Sequence, residues 1–180
     1  IIAKLNPDQN EASVSNDIYL SLQQLLFREA RLLSAERYDD WLDLLSDDVQ
    51  YEMEMPQRRF REDRTQASAP KKTPIFNDDK RSLLMRIGGI KTGFVWAENP
   101  VNAIRHIVSN IEVFDSDKAD EFTAYSIIEI HRSRLDAERK RFTAGRNDIW
   151  KKTASGFQLL KRTVALDDGV VLDSNINFFF

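Results

Sequence analysis

The sequence contains no cysteine among its 180 residues. This absence excludes disulfides, thiolate nucleophiles, cysteinyl zinc sites and iron–sulfur clusters held by cysteine. It also fits a reducing compartment, so we expect a cytoplasmic protein. Long apolar runs are missing as well: no window approaches the roughly 18 apolar residues of a membrane span, and the apolar start is too short for a signal-peptide core. We therefore expect no membrane partner.

Glycine and excess positive charge are also scarce. The six glycines form neither a phosphate-binding loop nor a Gly-x-Ser-x-Gly nucleophile elbow. The 26 basic residues are outnumbered by 29 acidic ones, which gives a formal net charge of -3. Without a net positive field, binding to a phosphate backbone loses its main driving force. We therefore expect no nucleic-acid partner.

Histidine is limited to His106 and His131, each on a predicted strand. Two histidines and one carboxylate can hold a non-haem iron, but nothing in this spacing directs both rings to one cavity. A histidine on a sheet is more often a satisfied core or interface residue. The sequence thus predicts no metal site in this chain.

The residues that are present indicate a helical first half. Residues 1–15 are polar and show no period, so we interpret them as an N-terminal arm and residues 16–180 as one domain. The first helix should begin near Asn16 or Asp17, either of which can cap it. Its apolar stripe consists of Ile18, Leu22, Leu25, Leu26 and Leu33. Glu29 falls on that stripe, which favours pairing with a buried arginine over a carboxylate aimed into a cavity.

Shorter elements follow the first helix. They are a helix over 38–45, a strand over 49–55, an exposed charged loop over 57–74, and a helix from a cap in Asn77-Asp78-Asp79 to about residue 90. In the last helix Leu83, Leu84 and Ile87 should face inward, and Gly88-Gly89 should end or kink it.

Alternation replaces helical periodicity in the second half. Ala103, Ile107 and Ile111 are expected to form the apolar side of a strand. Further strands are predicted over 122–132, 141–152 and 157–166, joined by hairpin-length breaks. Helices followed by an antiparallel meander predict an α+β fold, with the helices on one face of a curved, largely antiparallel sheet.

Two features suggest contacts between chains. Arginines occur throughout the regular segments, and their planar fork suits desolvated carboxylate and carbonyl partners. The segment 175–180 ends in Phe178, Phe179 and Phe180, where polar fraying is usual. Three phenylalanines in water would form an adhesive patch, so they must fold back into the domain or dock on a neighbour.

Acid–base chemistry is the alternative that the residue types leave open. A helix-and-sheet cone could hold a pocket that moves a proton next to a carbonyl, with candidates Asp39, Tyr51, His106, Glu112 and Glu129. Any domain of this length supplies such groups by chance. This alternative predicts an open apolar pocket that contains a perturbed carboxylate. A weaker one is a homodimer that binds a small ligand.

Several motifs resemble the β subunits of bacterial aromatic-ring-hydroxylating dioxygenases, in order from about Leu22 to the end of the sequence. They are Glu29-Ala30-x-Leu32-Leu33, Tyr38-x-x-Trp41-Leu42, Leu84-x-Arg86-Ile87, Trp96-x-Glu98-Asn99-Pro100, Arg105-His106-Ile107-Val108-Ser109-Asn110, Arg146-x-Asp148-Ile149-Trp150, Lys161-Arg162-Thr163 and the terminal Phe178-Phe179-Phe180. A chance match of this extent is implausible.

The resemblance implies a nuclear-transport-factor-2-like (cystatin-like) cone and a non-catalytic, structural role. It implies an α3β3 hexamer whose larger α subunit carries a Rieske 2Fe–2S cluster and a mononuclear Fe(II), while this chain carries no cofactor. It further implies NADH-derived electrons delivered by a reductase and a ferredoxin, and a cis-dihydrodiol product. The candidates for fold-holding or interface residues are Glu29, Trp41, Arg86, Trp96, Glu98, Arg105, His106, Asn110, Arg146, Asp148, Arg162, Phe178, Phe179 and Phe180.

Overall fold

The computed structural model describes residues 14–54, 74–92, 102–134, 138–167 and 178–180. These residues form α1 (Asn16–Ser34), α2 (Tyr38–Leu42), β1 (Leu45–Glu54), β2 (Pro74–Asp78), α3 (Lys80–Lys91), β3 (Ala103–Asp115), β4 (Glu121–Arg134), β5 (Glu138–Thr153) and β6 (Gly156–Leu166). Most of the proposed N-terminal arm, most of the 57–74 loop, and the candidates Trp96 and Glu98 lie outside the described residues. The α+β organisation is confirmed.

Helix α1 begins at Asn16, as predicted, but its N-cap is Ser15, one residue before the expected caps. Ser15, in an extended conformation, accepts a hydrogen bond from the backbone N–H of Ile18 and acts as the N-cap. The buried stripe is Leu22, Leu26, Glu29, Ala30, Leu32 and Leu33. The predicted stripe is therefore confirmed at its centre, and Glu29 lies in the core.

The elements between α1 and β3 differ from the predictions in four ways. Helix α2 is only five residues long, because the chain enters β1 at Leu45 rather than near residue 49. The short strand β2 occupies residues assigned to a loop and a helix cap. Gly88 and Gly89 do not end α3, since the helix continues to Lys91. Leu84 of α3 is exposed, contrary to prediction.

The six strands form one sheet in the order β2-β1-β6-β5-β4-β3. Strands β3 to β6 pair antiparallel with one another in chain order, β1 runs parallel to β6, and β2 is antiparallel to β1. In the described residues, short connections join β3 to β4 and β5 to β6. The β5–β6 turn places Gly156 at φ 135°, a conformation that glycine adopts without a steric penalty. The first and last strands of the described sheet are thus β2 and β3.

The sheet has an inner face toward the helices and an outer face away from them. Inner side chains are buried along whole strands, as in β4, where Phe122, Ala124, Ser126, Ile128, Ile130 and Arg132 alternate with half-buried residues. The strand that alternation predicts over 122–132 is therefore confirmed. In β3 the prediction was wrong for Ala103 and Ile107, which are exposed on the outer face together with Arg105, while His106 and Val108 face inward. Ile111, which follows an irregularity in the strand register, packs against the core as predicted.

None of the helices in the described residues is long and apolar enough to cross a membrane.

Candidate functional site

Arg162 is the centre of a buried ionic network on the inner face of the sheet. Its five N–H groups all have acceptors. Nε and Nη2 donate to the two carboxylate oxygens of Asp148 at 2.8 and 2.7 Å. Nη1 and Nη2 donate to the two carboxylate oxygens of Glu29 at 2.7 and 2.9 Å, and Nη1 also donates to the backbone oxygen of Phe180 at 2.8 Å. Asp148 and Arg162 are direct cross-strand partners, which brings the fork into register. The arginine thus uses its full donor capacity.

Glu29 connects helix α1 to this network. Its carboxylate also accepts hydrogen bonds from Trp41 Nε1 at 3.0 Å and from Arg146 Nη1 at 3.1 Å. Burial favours the protonated acid, but the positive charges of Arg162 and Arg146 outweigh it and lower the pKa of Glu29 to about 2. The carboxylate is therefore ionised at neutral pH, and the predicted pairing of Glu29 with arginine is confirmed.

Arg146 lies two positions before Asp148 on β5, on the same face of the strand. Its Nε donates to Ser126 Oγ at 3.1 Å, whereas its Nη2 lies 4.0 Å from an Asp148 oxygen without a hydrogen bond. Burial and the neighbouring Arg162 lower the pKa of the Arg146 guanidinium. Two arginines and two carboxylates together leave no net buried charge, which limits the cost of desolvating them.

The last three residues fill the space beside the network. Phe178, Phe179 and Phe180 are each at most 2% exposed. The Phe179 ring lies 4.7 Å from that of Trp41, and the backbone N–H of Phe180 donates to the Tyr51 hydroxyl at 2.8 Å. Of the two outcomes expected for the phenylalanines, the structure shows that they fold back into the domain.

His106 binds the same terminal segment from strand β3. Its Nε2 donates to the backbone oxygen of Phe179 at 2.9 Å, because a carbonyl oxygen can only accept. The Ser34 hydroxyl lies 3.1 Å from Nδ1 and accepts the backbone N–H of His106 at 2.9 Å. Burial lowers the pKa of His106 to about 4. The ring is therefore neutral at pH 7 and joins α1, β3 and the terminal segment.

Arg86 closes the network toward helix α3. Its guanidinium pairs with Asp78 at 2.6 Å and lies over two rings, 4.2 Å from the centroid of Phe76 and 4.7 Å from that of Phe179. Such stacking is a favourable use of the planar cation. The arrangement links α3, β2 and the terminal phenylalanines, so Arg86 has a role in packing.

The residues considered for acid–base chemistry do not converge. Asp39 is exposed and pairs with Lys91 at 2.7 Å, while the buried Tyr51 bonds to Phe180, and burial raises the pKa of its hydroxyl. Glu112 is exposed on β3, and Glu129 lies 3.3 Å from His131. Among the described residues, the hydrogen bonds of the His106 side chain go to Ser34 and Phe179 rather than to a carboxylate.

The two histidines occupy opposite faces of the sheet. His106 is buried on the inner face, and His131 is exposed and faces outward from β4. Because side chains on opposite faces cannot ligate one ion, the pair does not fit a metal centre. Within the described ranges, no group of three or more His, Asp or Glu side chains could hold a metal.

Two other candidates have local roles, and two hydroxyl groups were missed. Asn110 is exposed with φ 50° at an irregularity in the β3–β4 register, a conformation that asparagine tolerates better than most residues. Arg105 points outward beside His131. Ser34 and Ser126, which hydrogen-bond to His106 and Arg146, carried no signal in the sequence.

Comparison with known structures defines first the class of fold. The chain superposes on a chain of a naphthalene 1,2-dioxygenase structure with indole bound, with a TM-score of 0.84 at 21% identity over 93% of this chain and 88% of that one. It also matches an NTF2-like protein with a cystatin-like fold from Novosphingobium aromaticivorans, with a TM-score of 0.57 at 15% identity over 86% and 85% of the two chains. The nuclear-transport-factor-2-like, cystatin-like fold class is thereby confirmed.

Sequence similarity then identifies the family. The family model described as "Ring hydroxylating beta subunit" matches residues 28–173. The β subunit of biphenyl 2,3-dioxygenase from Rhodococcus jostii is 33% identical, and that of benzene 1,2-dioxygenase from Pseudomonas putida is 30% identical, each over 94% of this chain and 92% of the relative. The chain therefore belongs to the ring-hydroxylating dioxygenase β subunits. As such a subunit, it is a non-catalytic component of an oxidoreductase complex.

Proposed function

We propose that this chain supports the large subunit of a multicomponent oxygenase, which adds both atoms of O2 to an arene to give a cis-dihydrodiol. The reaction consumes NADH and a proton in addition to O2, and NAD+ is the second product. Family membership gives the role of subunit. The reaction and the assembly described below are inferred from the relatives together with the filled interior of this chain.

The main observation in favour of a supporting role for this chain is that its own side chains fill the inner face of the sheet. Where a cone-fold enzyme would need a substrate cavity, this chain has the Arg162 network and the buried rings of Phe178, Phe179 and Phe180. Arg162 has no free donor left, and Glu29 accepts from three side chains. Groups satisfied in this way hold elements together and are not available to a substrate.

The iron centres belong to the partner in this proposal. The chain has no cysteine to ligate a Rieske cluster, and its two histidines face opposite sides of the sheet. These residues do not fit either a 2Fe–2S cluster or a mononuclear iron. We place both centres in an α subunit, within an α3β3 hexamer that receives electrons from a cytoplasmic reductase and ferredoxin.

The preferred substrate class is a neutral aromatic hydrocarbon. The two relatives described above are β subunits of dioxygenases named for biphenyl and benzene. A β subunit of a 3-phenylpropionate/cinnamic acid dioxygenase from Photorhabdus laumondii is similarly close, at 31% identity. The identity of the arene that is oxidised must therefore be tested with the whole complex.

The alternative of a free-standing isomerase or dehydratase is not favoured. It requires a histidine and a carboxylate in one accessible pocket. His106 instead has a pKa lowered by burial and bonds to Ser34 and Phe179, while Asp148 is held by Arg162. The two side chains thus have separate structural partners.

The proposal is tested by reconstitution with a large oxygenase subunit and its electron-transfer proteins. Production of the large subunit with this chain should give a stable complex that forms a dihydrodiol from benzene or biphenyl, measured by chromatography. The chain alone should give no product under the same conditions. Turnover by the chain alone would contradict the proposal, as would failure to form a complex with any large subunit of this class.

A further inference from the structure

The ring of Phe179 is surrounded by four side chains, which we call the Phe179 cage. The Trp41 ring lies 4.7 Å from it at an interplanar angle of 33°, and the rings of Tyr38 and Tyr51 meet it edge-on at 5.8 and 6.4 Å. The Arg86 guanidinium lies over it, 4.7 Å from its centroid. Rings at these separations and a cation over a ring face attract an aromatic ring. The cage therefore has the composition of a binding site for one arene.

Three elements of the domain supply the cage. Tyr38 and Trp41 are three positions apart on α2, which places both side chains on one side of that short helix. Tyr51 comes from β1, and Arg86 comes from α3. The three aromatic members are each at most 5% exposed. None of the four belongs to the segment 178–180, so the cage is a feature of the domain into which that segment inserts.

The backbone of the segment is held independently of the Phe179 ring. His106 Nε2 donates to the Phe179 carbonyl at 2.9 Å, and Arg162 Nη1 donates to the Phe180 carbonyl at 2.8 Å. The Tyr51 hydroxyl accepts the backbone N–H of Phe180 at 2.8 Å. Because none of these bonds uses the Phe179 side chain, all of them can persist without the ring. An alanine at position 179 is therefore expected to leave a ring-sized space in the cage.

The lining of the cage favours a neutral ring without polar substituents. The charge of Arg86 is balanced by Asp78, whose carboxylate lies 2.6 Å from the guanidinium. Trp41 Nε1 donates to Glu29, and the Tyr51 hydroxyl bonds to the backbone, so both polar ends are engaged elsewhere. A hydroxyl or carboxylate on the ring would have to compete for these partners or stay unpaired, which is costly. The cage thus suits benzene better than phenol or benzoate.

The native chain keeps the cage closed to dissolved arenes. Phe179 is 1% exposed, and its ring is attached to a backbone that other contacts already hold in place. An attached group has an effective local concentration of about millimolar or more, which a dilute arene in water does not approach. The Phe179 side chain therefore competes successfully with any free aromatic ring.

We propose that the Phe179 cage is a binding site for a single neutral aromatic ring, and that Phe179 excludes free arenes from the interior by occupying it. This assignment goes beyond the supporting role. It gives the segment 178–180 a second purpose besides stability, because a subunit that works beside an arene-oxidising partner then takes up none of the substrate.

The test removes the ring from the full chain and supplies an arene in its place. Phe179→Ala is unfolded by heat with benzene or cyclohexane, each at half saturation so that their chemical activities match. We expect benzene to raise the Tm by about 3 °C, because it binds only the folded chain. Cyclohexane should raise it by about a third as much, because a saturated ring lacks the quadrupole that attracts a cation. The wild type should show no rise.

Three outcomes of this experiment would overturn the proposal. They are equal rises with both probes, no rise with either probe, and a benzene-induced rise of the same size in the wild type.

Phe178→Ala is the matched control, since it removes the same ring from the neighbouring position. The ring contacts of Phe178 in the described residues are with Phe142 at 5.0 Å and Phe180 at 5.3 Å, without a cation. A space at this position should show no preference for benzene over cyclohexane. A preference as large as that of Phe179→Ala would mean that the cage is not the source of the selectivity, and the proposal would be wrong.

A refolding experiment covers the case in which Phe179→Ala does not fold alone. The urea-unfolded variant is diluted into buffer with benzene, with cyclohexane or with neither, and the soluble folded fraction is measured by gel filtration. We expect roughly threefold more folded protein with benzene than with cyclohexane, and equal yields would overturn the proposal. No large subunit takes part, so a failure here leaves the proposed function intact, and a failed reconstitution leaves the cage assignment intact.

Discussion

The residues of the interior show how a small domain can bury four charges. Glu29, Arg146, Asp148 and Arg162 are at most 3% exposed, and they balance in number and sign. Isolated, each would be too costly to desolvate. Of these four positions, only that of Glu29 on the buried stripe of α1 follows from the sequence pattern. The pairing of the four charges does not, because Glu29 and Arg162 are 133 positions apart and only the strand register brings them together.

Removing the charge of Glu29 should be strongly destabilising. In Glu29→Gln, two buried guanidinium groups lose their shared anion, and we expect the free energy of unfolding to fall by about 3–5 kcal/mol. Urea denaturation at pH 7 measures the change. Glu112→Gln, at an exposed position of β3, serves as the control and should change it by about 0.5 kcal/mol or less. Similar losses in both variants would show that the network is not the source of stability.

His106 should make stability depend on pH. Its pKa is about 4 in the folded chain against an ordinary 6.5, so protonation favours the unfolded state. Its contribution is complete above pH 6.5 and is lost as pH falls toward 4, with a slope of at most about 1.4 kcal/mol per pH unit. Urea titrations from pH 7 to 4.5 should show a shallower slope for His106→Gln than for the wild type and for the control His131→Gln. Equal slopes for His106→Gln and the wild type would show that His106 is not the source of the pH dependence.

At the scale of elements, the alternation of apolar and polar residues predicts β3 to β6, but it does not reveal short or polar elements. Strand β2 is a five-residue edge strand without a clear burial period. The start of β1 was missed because Ser46, Asp47 and Asp48 are polar and none of them is buried. The side of β3 was misjudged because a polar residue, His106, faces inward while Ile107 faces outward. Its partners, Ser34 and the backbone of Phe179, are visible only in three dimensions.

Helix α3 should be stabilised by removing its glycines. Gly88 and Gly89 lie inside the helix, and an added Cβ would meet nothing within 4 Å at either position. Each glycine-to-alanine change should raise the free energy of unfolding by about 0.5–1 kcal/mol, because the unfolded chain loses freedom. Gly156→Ala is the opposite control, since φ 135° strains any side chain, and it should destabilise. Thermal denaturation distinguishes the three variants, and a loss of stability in Gly88→Ala would contradict the prediction.

The terminal segment should be indispensable. Deleting residues 178–180 removes three buried rings, each contributing about 1.5–3 kcal/mol, and removes the backbone groups that bond to Arg162, Tyr51 and His106. We expect an aggregation-prone chain with a much lower urea midpoint. Phe179→Leu, which keeps the backbone contacts and most of the apolar volume, should retain the soluble fold. A truncated chain that folds and assembles normally would show that residues 178–180 are not needed for stability or assembly.

At the scale of the whole molecule, the fold alone does not give the function, because the same cone occurs in proteins of different activity. The resemblance noted in the sequence, which the family comparison confirms, supplies the class of complex. The structure adds the distribution of roles: an inner face closed by its own side chains and an outer face with exposed apolar residues.

The proposed division of roles predicts the behaviour of His106→Ala in the assembled oxygenase. Loss of the contacts to Ser34 and Phe179 should reduce the yield or thermal stability of the complex. The complex that remains should keep its full iron content per large subunit, measured by mass spectrometry of the metal. Arg105→Ala, on the outward side of the same strand, tests whether any change there is specific to the inner face. Iron loss without a loss of assembly would mean that this chain shapes the metal sites.

The path from synthesis to the finished subunit is constrained by one contact. Tyr51 and Phe180 bond to each other across 129 positions of sequence. A nascent chain can form its first helix early, yet Glu29 has no counter-charge until β5 and β6 have been translated. The interior is complete only once Phe178 to Phe180 have reached the sheet, as expected for a protein in which distant contacts dominate. Until then the half-made subunit exposes charged and aromatic groups, and chaperones would be expected to bind it at that stage.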